Sequence, residues 1–190
     1  MTMDIAGLGA RALGELGQVI EAMDQDGFMR FVDALAGANR LVLHGVGREG
    51  LMMRALAMRL YHLGLDAHVL GDMTTPPVGA GDLLVVSAGP GYFSSVEALA
   101  RTARAAGADL ACVTAQPGGP VPKMADHLLV LPAQTMADDQ PDGEAELSVL
   151  PMGSLYEGAQ YIAFELVVLA LGAKLEVSPE ALRGRHTNLE

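Results

Sequence analysis

Leu41-Val42-Leu43-His44-Gly45-Val46-Gly47-Arg48-Glu49-Gly50 decides how this chain folds. A short apolar run breaks into three glycines and passes at once into a helical pattern, which predicts a buried strand feeding a helix. Gly45, Gly47 and Gly50 let the backbone turn tightly and let an anion approach the N–H groups that open the helix, where aligned peptide dipoles leave partial positive charge. The run Leu83-Leu84-Val85-Val86-Ser87 repeats the arrangement, followed by Ala88-Gly89-Pro90-Gly91 and a second helical pattern. In a doubly wound parallel sheet of order 2-1-3-4-5 the first and third strands flank the switch point, so both turns would open on one crevice. This marks Gly45, Gly47, Arg48, Glu49, Ser87, Gly89, Gly91, Ser94 and Ser95 as candidate ligand-binding residues. The spacing Gly45-x-Gly47-x-x-Gly50 also spells the dinucleotide fingerprint, with Asp72 about 20 residues beyond it where a ribose-binding acid belongs, so a dinucleotide binder is a rival reading.

A chain of 190 residues with 51% hydrophobic content can bury a sizeable core, and the expectation is one domain over residues 1–190. The formal net charge of -11, with four Tyr, four Phe and no Trp, argues against nucleic acid, which asks for a basic face and stacking rings. The longest apolar stretch, residues 159–173, is about 15 residues and is interrupted by Glu165, too short for a bilayer. No basic segment leading into an apolar core opens the chain, so neither a signal peptide nor a membrane span is expected. The single Cys112 lies in an apolar strand-like run and reads as a small buried hydrophobe outside any disulfide. The expected location is the cytoplasm.

Residues 4–23 place Ile5, Leu8, Leu13, Leu16, Val19, Ile20 and Met23 at helical spacing, and residues 26–35 repeat the pattern briefly. These helices are expected to cover the sheet or to bury surface against another subunit. After the first strand come a helix over 51–63 stopped by Gly64, a strand over 67–70, and a proline-locked loop holding Thr74 and Thr75 at the rim of the crevice. Then follow a strand over 83–87, a helix over 94–106, a strand over 110–114, a short helix over 121–125 and a strand over 127–131. Near-continuous apolar strands alternating with helices predict an α/β fold: a five-stranded parallel sheet in flavodoxin-like order with helices on both faces. The acidic residues 133–146 read as a mobile loop or site edge, with fast amide exchange expected around Asp138 to Glu146. A long helix over 155–171 follows, then a short one capped by Ser178 and opened by Pro179.

Five segments carry a resemblance over nearly the whole chain: Ala57-Met58-Arg59-Leu60-Tyr61-His62-Leu63-Gly64, Gly71-Asp72-Met73-Thr74-Thr75-Pro76, Lys123-Met124-Ala125-Asp126, Pro151-Met152-Gly153-Ser154-Leu155-Tyr156-Glu157, and Arg185-His186-Thr187-Asn188-Leu189-Glu190. In that order and spacing they resemble the SIS (sugar isomerase) family of phosphosugar-binding domains, and within it the 6-phospho-3-hexuloisomerase branch. The resemblance implies a dimer or tetramer that interconverts 3-hexulose 6-phosphate and fructose 6-phosphate without metal, nucleotide or other cofactor. Two turns depart from the family pattern. Glu49 stands where the family usually has serine, and Ala88-Gly89-Pro90-Gly91-Tyr92-Phe93 where it usually reads Ser-Gly-Ser-Gly-Glu-Thr. Hydroxyls that would hold a phosphate are thereby replaced, and Ser87, Ser94 and Ser95 remain as substitutes.

Moving a carbonyl to the adjacent sugar carbon needs a base that takes one proton and returns it through an enediol. Glu157, early in an apolar helix, matches the family's candidate base, and a partly apolar cleft raises a carboxyl pKa toward working pH. His186 matches the family's C-terminal histidine, whose near-neutral pKa suits ring opening or proton transfer on substrate oxygens; the resemblance implies that it is offered to a neighbouring subunit. His62 suits the C-terminus of its helix, His44 reads as a core histidine, and the five histidines show no metal-ligand spacing. Because the turns are altered, a non-catalytic SIS module that binds a sugar or sugar phosphate is the alternative.

Overall fold

The computed structural model describes residues 3–139 and 147–189. Its elements run α1 (Ile5–Glu21), α2 (Gln25–Gly37), β1 (Leu41–His44), α3 (Gly47–Leu63), β2 (Ala67–Val69), β3 (Leu83–Ser87), α4 (Ser94–Ala105), β4 (Asp109–Thr114), β5 (His127–Val130), α5 (Ser154–Lys174) and α6 (Pro179–Gly184). The five strands form one parallel sheet in the order β2-β1-β3-β4-β5, the order expected. Leu43 pairs with Val69 on one side and Val85 on the other, and Val86 pairs with Cys112. Every residue of β3 is buried, which explains why the strand is continuously apolar rather than alternating.

The two faces of the sheet are covered unequally. Leu41, Leu43, Leu83, Val85, Ala111 and Val113 join a large core with Val19 of α1, Phe31 and Leu35 of α2, Leu56 and Leu60 of α3, and Phe164 and Leu171 of α5. Val42, Leu84, Val86, Leu110 and Cys112 face the other way, where α4 supplies Val96, Ala100 and Ala103. Helix α5 is the longest at 21 residues, and its length and composition would suit a membrane span, which the shorter apolar stretch counted in the sequence did not suggest. Half of that window is buried within the fold, and Ala159, Ala163, Phe164, Val167 and Leu171 make it the helix around which α1, α2 and α3 pack. Removing the Phe164 ring would cost about 3–5 kcal/mol, the usual loss for a core aromatic.

Two elements differ from expectation. Helix α3 begins at Gly47, not near residue 51, because the glycine turn is itself the first helical turn. The predicted helix over 121–125 is a single 3-10 turn, Pro122–Met124, too short to close an α-helical ladder. Of the acidic segment, residues 140–146 lie outside the described residues. Its described start is held down: Thr135 Oγ1 donates to Asp138 Oδ2 at 2.8 Å, and the Met152 N–H donates to Asp139.

Helix caps divide by position. Asp4 accepts the Gly7 N–H at 3.0 Å, Asp24 that of Gly27 at 2.9 Å, and Ser178 that of Ala181 at 3.1 Å, which caps α1, α2 and α6. Among the described residues α3, α4 and α5 have no side-chain cap. The starts of α3 and α4 follow β1 and β3, so the uncapped ends gather at the C-terminal edge of the sheet, where the partial positive charge of each helix is left for other groups to use.

Candidate active site

Gly45 and Gly50 close the first turn back to back. A Cβ on Gly50 would lie 2.5 Å from the Gly45 carbonyl oxygen, so no other residue fits without moving backbone. Gly47 takes a left-handed conformation at φ 57°, and the turn sends the next two side chains apart. Arg48 is exposed, whereas Glu49 points inward and is only 7% exposed.

Both residues line a cleft of about 470 Å³ at the starts of three helices: Gly47, Arg48 and Glu49 from α3, Phe93 before α4, and Ser154 and Glu157 from α5. Val46, Met136, Pro151 and Met152 give it an apolar wall. Arg48 crosses the cleft. Its guanidinium donates to Ser154 Oγ at 2.9 Å and to the Met152 carbonyl at 3.0 Å, and it approaches Glu157 Oε2 to 2.6 Å. Because the N–H bonds are directed at Ser154 and Met152, the contact with Glu157 is one of charge, and Oε2 accepts no in-line hydrogen bond. Burial pushes the Glu157 carboxyl above its ordinary range, and the Arg48 charge pulls back against that rise. A carboxylate of this kind, partly desolvated and not saturated with donors, is suited to taking a proton from carbon.

Beneath the cleft lies a buried polar chain. Gln160 Nε2 donates to Ser87 Oγ at 2.8 Å, Ser87 Oγ donates to Glu49 Oε2 at 2.5 Å, and the Gly89 N–H donates to the same oxygen at 3.1 Å. The Tyr156 hydroxyl lies 3.3 Å from Ser87 Oγ. Burial raises the Glu49 carboxyl above its ordinary value, the Ser87 and Gly89 hydrogen bonds oppose this, and the negative charge of Glu157 adds to it. Burial likewise pushes the Tyr156 hydroxyl and the Cys112 thiol up, so both are neutral neighbours.

The remaining candidate residues fall in several places. Ser87 is fully buried and committed to the chain just described. Gly89 gives its N–H to Glu49, and a Cβ there would meet Tyr156 at 2.8 Å and Glu49 at 2.9 Å. Gly91 is buried at φ 82° against Gly119, where it closes the second turn. Ser94 and Ser95 open α4 and face outward. Thr74 and Thr75 line a separate crevice of about 330 Å³ with Arg54, Tyr61 and Asp72, and the Thr75 hydroxyl is bound to the Val69 carbonyl at 2.7 Å. Asp72 itself pairs with Arg54 at 3.4 Å. His186 sits beside His62 at the far end of α3, and within one chain it does not meet Glu157. Sequence reasoning missed Tyr156, Gln160 and Phe93. A signal existed for the first two: they are four residues apart, so they share one face of an otherwise apolar helix.

The SIS domain family matches residues 34–151 of this chain. A 3-hexulose-6-phosphate isomerase of Mycobacterium gastri is 42% identical over 151 residues, covering 80% of this chain and 74% of that one. A second, from Bacillus subtilis strain 168, is 31% identical over 181 residues, covering 95% and 96%. A crystal structure from Methanococcus jannaschii, of a protein for which a 3-hexulose-6-phosphate isomerase function is inferred, superimposes with a TM-score of 0.78 at 26% identity, covering 96% of this chain and 97% of that one. The sheet order, the crevice at the ends of β1 and β3 and these relatives lead to one assignment: the chain belongs to the SIS domain family.

Proposed function

We propose that the protein is a sugar-phosphate isomerase that interconverts 3-hexulose 6-phosphate and fructose 6-phosphate through an enediol, working as one domain over residues 1–190 in a cytoplasmic homo-oligomer. The observation that carries this reading is Glu157, a partly buried carboxylate held beside Arg48 in a cleft where three helices start. Glu157 takes the proton from C2 of the 3-hexulose and returns it to C3, so one carboxylate serves both carbons. Arg48 orients it and limits the rise in its pKa. The uncapped starts of α3 and α4 supply N–H groups toward the anionic end of the substrate. His186 of a second copy of the chain reaches the cleft and serves ring opening, the step that exposes the carbonyl. The relatives named 3-hexulose-6-phosphate isomerases support the substrate class.

Fructose 6-phosphate in deuterated water is the direct test, because an isomerase must exchange the C3 proton. Exchange by the wild type and its loss in Glu157→Gln are expected. No exchange above the Glu157→Gln background would remove the proposal and leave a second reading, a non-catalytic sugar-binding module. That reading is favoured by one feature, the carboxylate of Glu49 on the Gly89 N–H with Phe93 at the rim, which leaves fewer donors for phosphate.

A further inference from the structure

Two carboxylates share the cleft, and their surroundings differ. Glu157 has Arg48 at 2.6 Å, while Glu49 has no cation in ion-pair contact among the described residues and is the more deeply buried of the two. A cleft holding two such acids favours one proton between them, carried by the acid without a counter-charge. The hydrogen bonds also fix which oxygen carries it. Ser87 and Gly89 both donate to Oε2, which is thereby held as an acceptor, and Gln160 donates in turn to Ser87 Oγ. The acidic proton is left on Oε1, the oxygen that lies beside Gly89 in a residue lining the cleft.

We infer that Glu49 is a second catalytic residue, the general acid that exchanges protons with the substrate's oxygens while Glu157 exchanges them with its carbons. The inference rests on the isomerase reading above and deepens it. In the forward direction the Glu157 carboxylate takes the C2 proton, the electron pair of that C–H bond forms the C2–C3 double bond, and the C3 carbonyl oxygen takes the proton of Glu49. The enediol then stands between a neutral Glu157 and an ionised Glu49. In the second half the Glu49 carboxylate takes the proton of the C2 hydroxyl as the new carbonyl forms there, and Glu157 delivers its proton to C3. Both residues end in their starting states, and no other reactant is needed. Ser87, Gly89 and Gln160 are positioning residues in this scheme: they hold Oε2 and stabilise the carboxylate at the moment it is charged. The groups facing Glu49 are Tyr156, Gln160 and Glu157 from α5, Cys112 from β4 and Ser87 from β3. Of these, burial pushes the ionisation of Tyr156 and Cys112 to higher pH, which leaves Glu157 as the acid that faces Glu49.

The experiment compares wild type, Glu49→Gln and Glu49→Ala on fructose 6-phosphate, reading turnover, C3 proton exchange and kcat/KM against pH. The wild-type profile should be bell-shaped, with a rising limb as Glu157 loses its proton and a falling limb as Glu49 loses its own. Glu49→Gln should lower kcat about 10²- to 10⁴-fold with little change in KM, and should lose the falling limb. Formate should restore part of the Glu49→Ala activity, a response that a purely structural role would not give. If Glu49→Gln keeps wild-type kcat and both limbs, the inference is wrong while the isomerase reading stands. If activity falls but the falling limb persists and formate restores nothing, Glu49 only shapes the site and the inference is equally overturned. A wild type that exchanges nothing removes the isomerase reading, and the role of Glu49 goes with it.

Discussion

His62 and His186 hold their rings 5.3 Å apart, at the opposite end of α3 from Glu49. From residue 49 to residue 62 the helix axis runs roughly 20 Å at 1.5 Å per residue, so His186 cannot serve the cleft of its own chain. Arg185 fixes the tail there by donating to the His62 carbonyl at 3.1 Å. On the proposed reading, in which His186 serves the cleft of a second copy, Glu157→Gln and His186→Ala should each be inactive as pure oligomers, while reassembled mixtures recover roughly a quarter of wild-type activity, the fraction of sites with both residues intact under random pairing across a symmetric interface. The exposed Ile5, Leu8 and Leu13 of α1 are apolar surface for such an interface. Verified hetero-oligomers that stay inactive would confine both residues to separate roles.

Removing the Arg48 cation leaves Glu157 with burial alone acting on it. Its pKa then rises further, and a base that works ionised needs higher pH to reach that form. The rising limb of kcat/KM in Arg48→Met should therefore move to higher pH than in wild type. A limb that stays in place, or moves to lower pH, would mean that Arg48 does not act on the titrating group.

Glu49 should cost the fold stability at neutral pH. Its folded pKa lies above its unfolded value, so its favourable contribution is complete below the unfolded pKa and is lost as pH rises through the folded one. Glu49→Gln keeps an acceptor for Ser87 and Gly89 and removes the carboxyl whose ionisation favours the unfolded chain. Thermal melting near pH 7.5 should show Tm raised by about 2–4 °C, the shift that one kcal/mol produces in a chain of this size, with the gain shrinking toward pH 4. Catalysis and stability would thus move in opposite directions in one variant.

The glycines should separate by what surrounds them. Gly50→Ala would place a methyl 2.5 Å from the Gly45 carbonyl oxygen and should lose about 1–3 kcal/mol or fail to fold. Gly14→Ala, in the middle of α1 with nothing within 4 Å, should gain about 0.5–1 kcal/mol. Chemical denaturation of the two variants checks both signs.

The sheet was legible because the physics that forms it is local. Leu41–His44 and Leu83–Ser87 announce themselves as buried strands by unbroken apolar runs, and their glycine exits announce the crevice. Ser178 and Pro179 gave the start of α6 for the same reason. The site was legible only in part. Glu49 and Ser87 are 38 residues apart, Arg48 and Ser154 106 apart, and no periodicity reports a hydrogen bond over such separations. The sequence marks Glu49 only as a ligand-binding candidate at the family's serine position, and the finding that Ser87 and Gly89 hold it inward depends on how α3 packs against β3. The position of His186 was hidden too, since a polar tail carries no pattern that says which helix end it will meet.

Gly45, Gly50 and Gly89 have a further meaning for anyone who would alter what this cleft accepts. Each leaves no space for a side chain, so the floor that holds the two acids is closed to variation. Phe93, Met136 and Met152 instead face the opening from connecting segments outside the sheet and its helices. A library restricted to those three positions would vary the opening while leaving Glu49 and Glu157, the proposed proton-handling residues, untouched, and would test whether substrate scope and reaction type are set by separable parts of the chain.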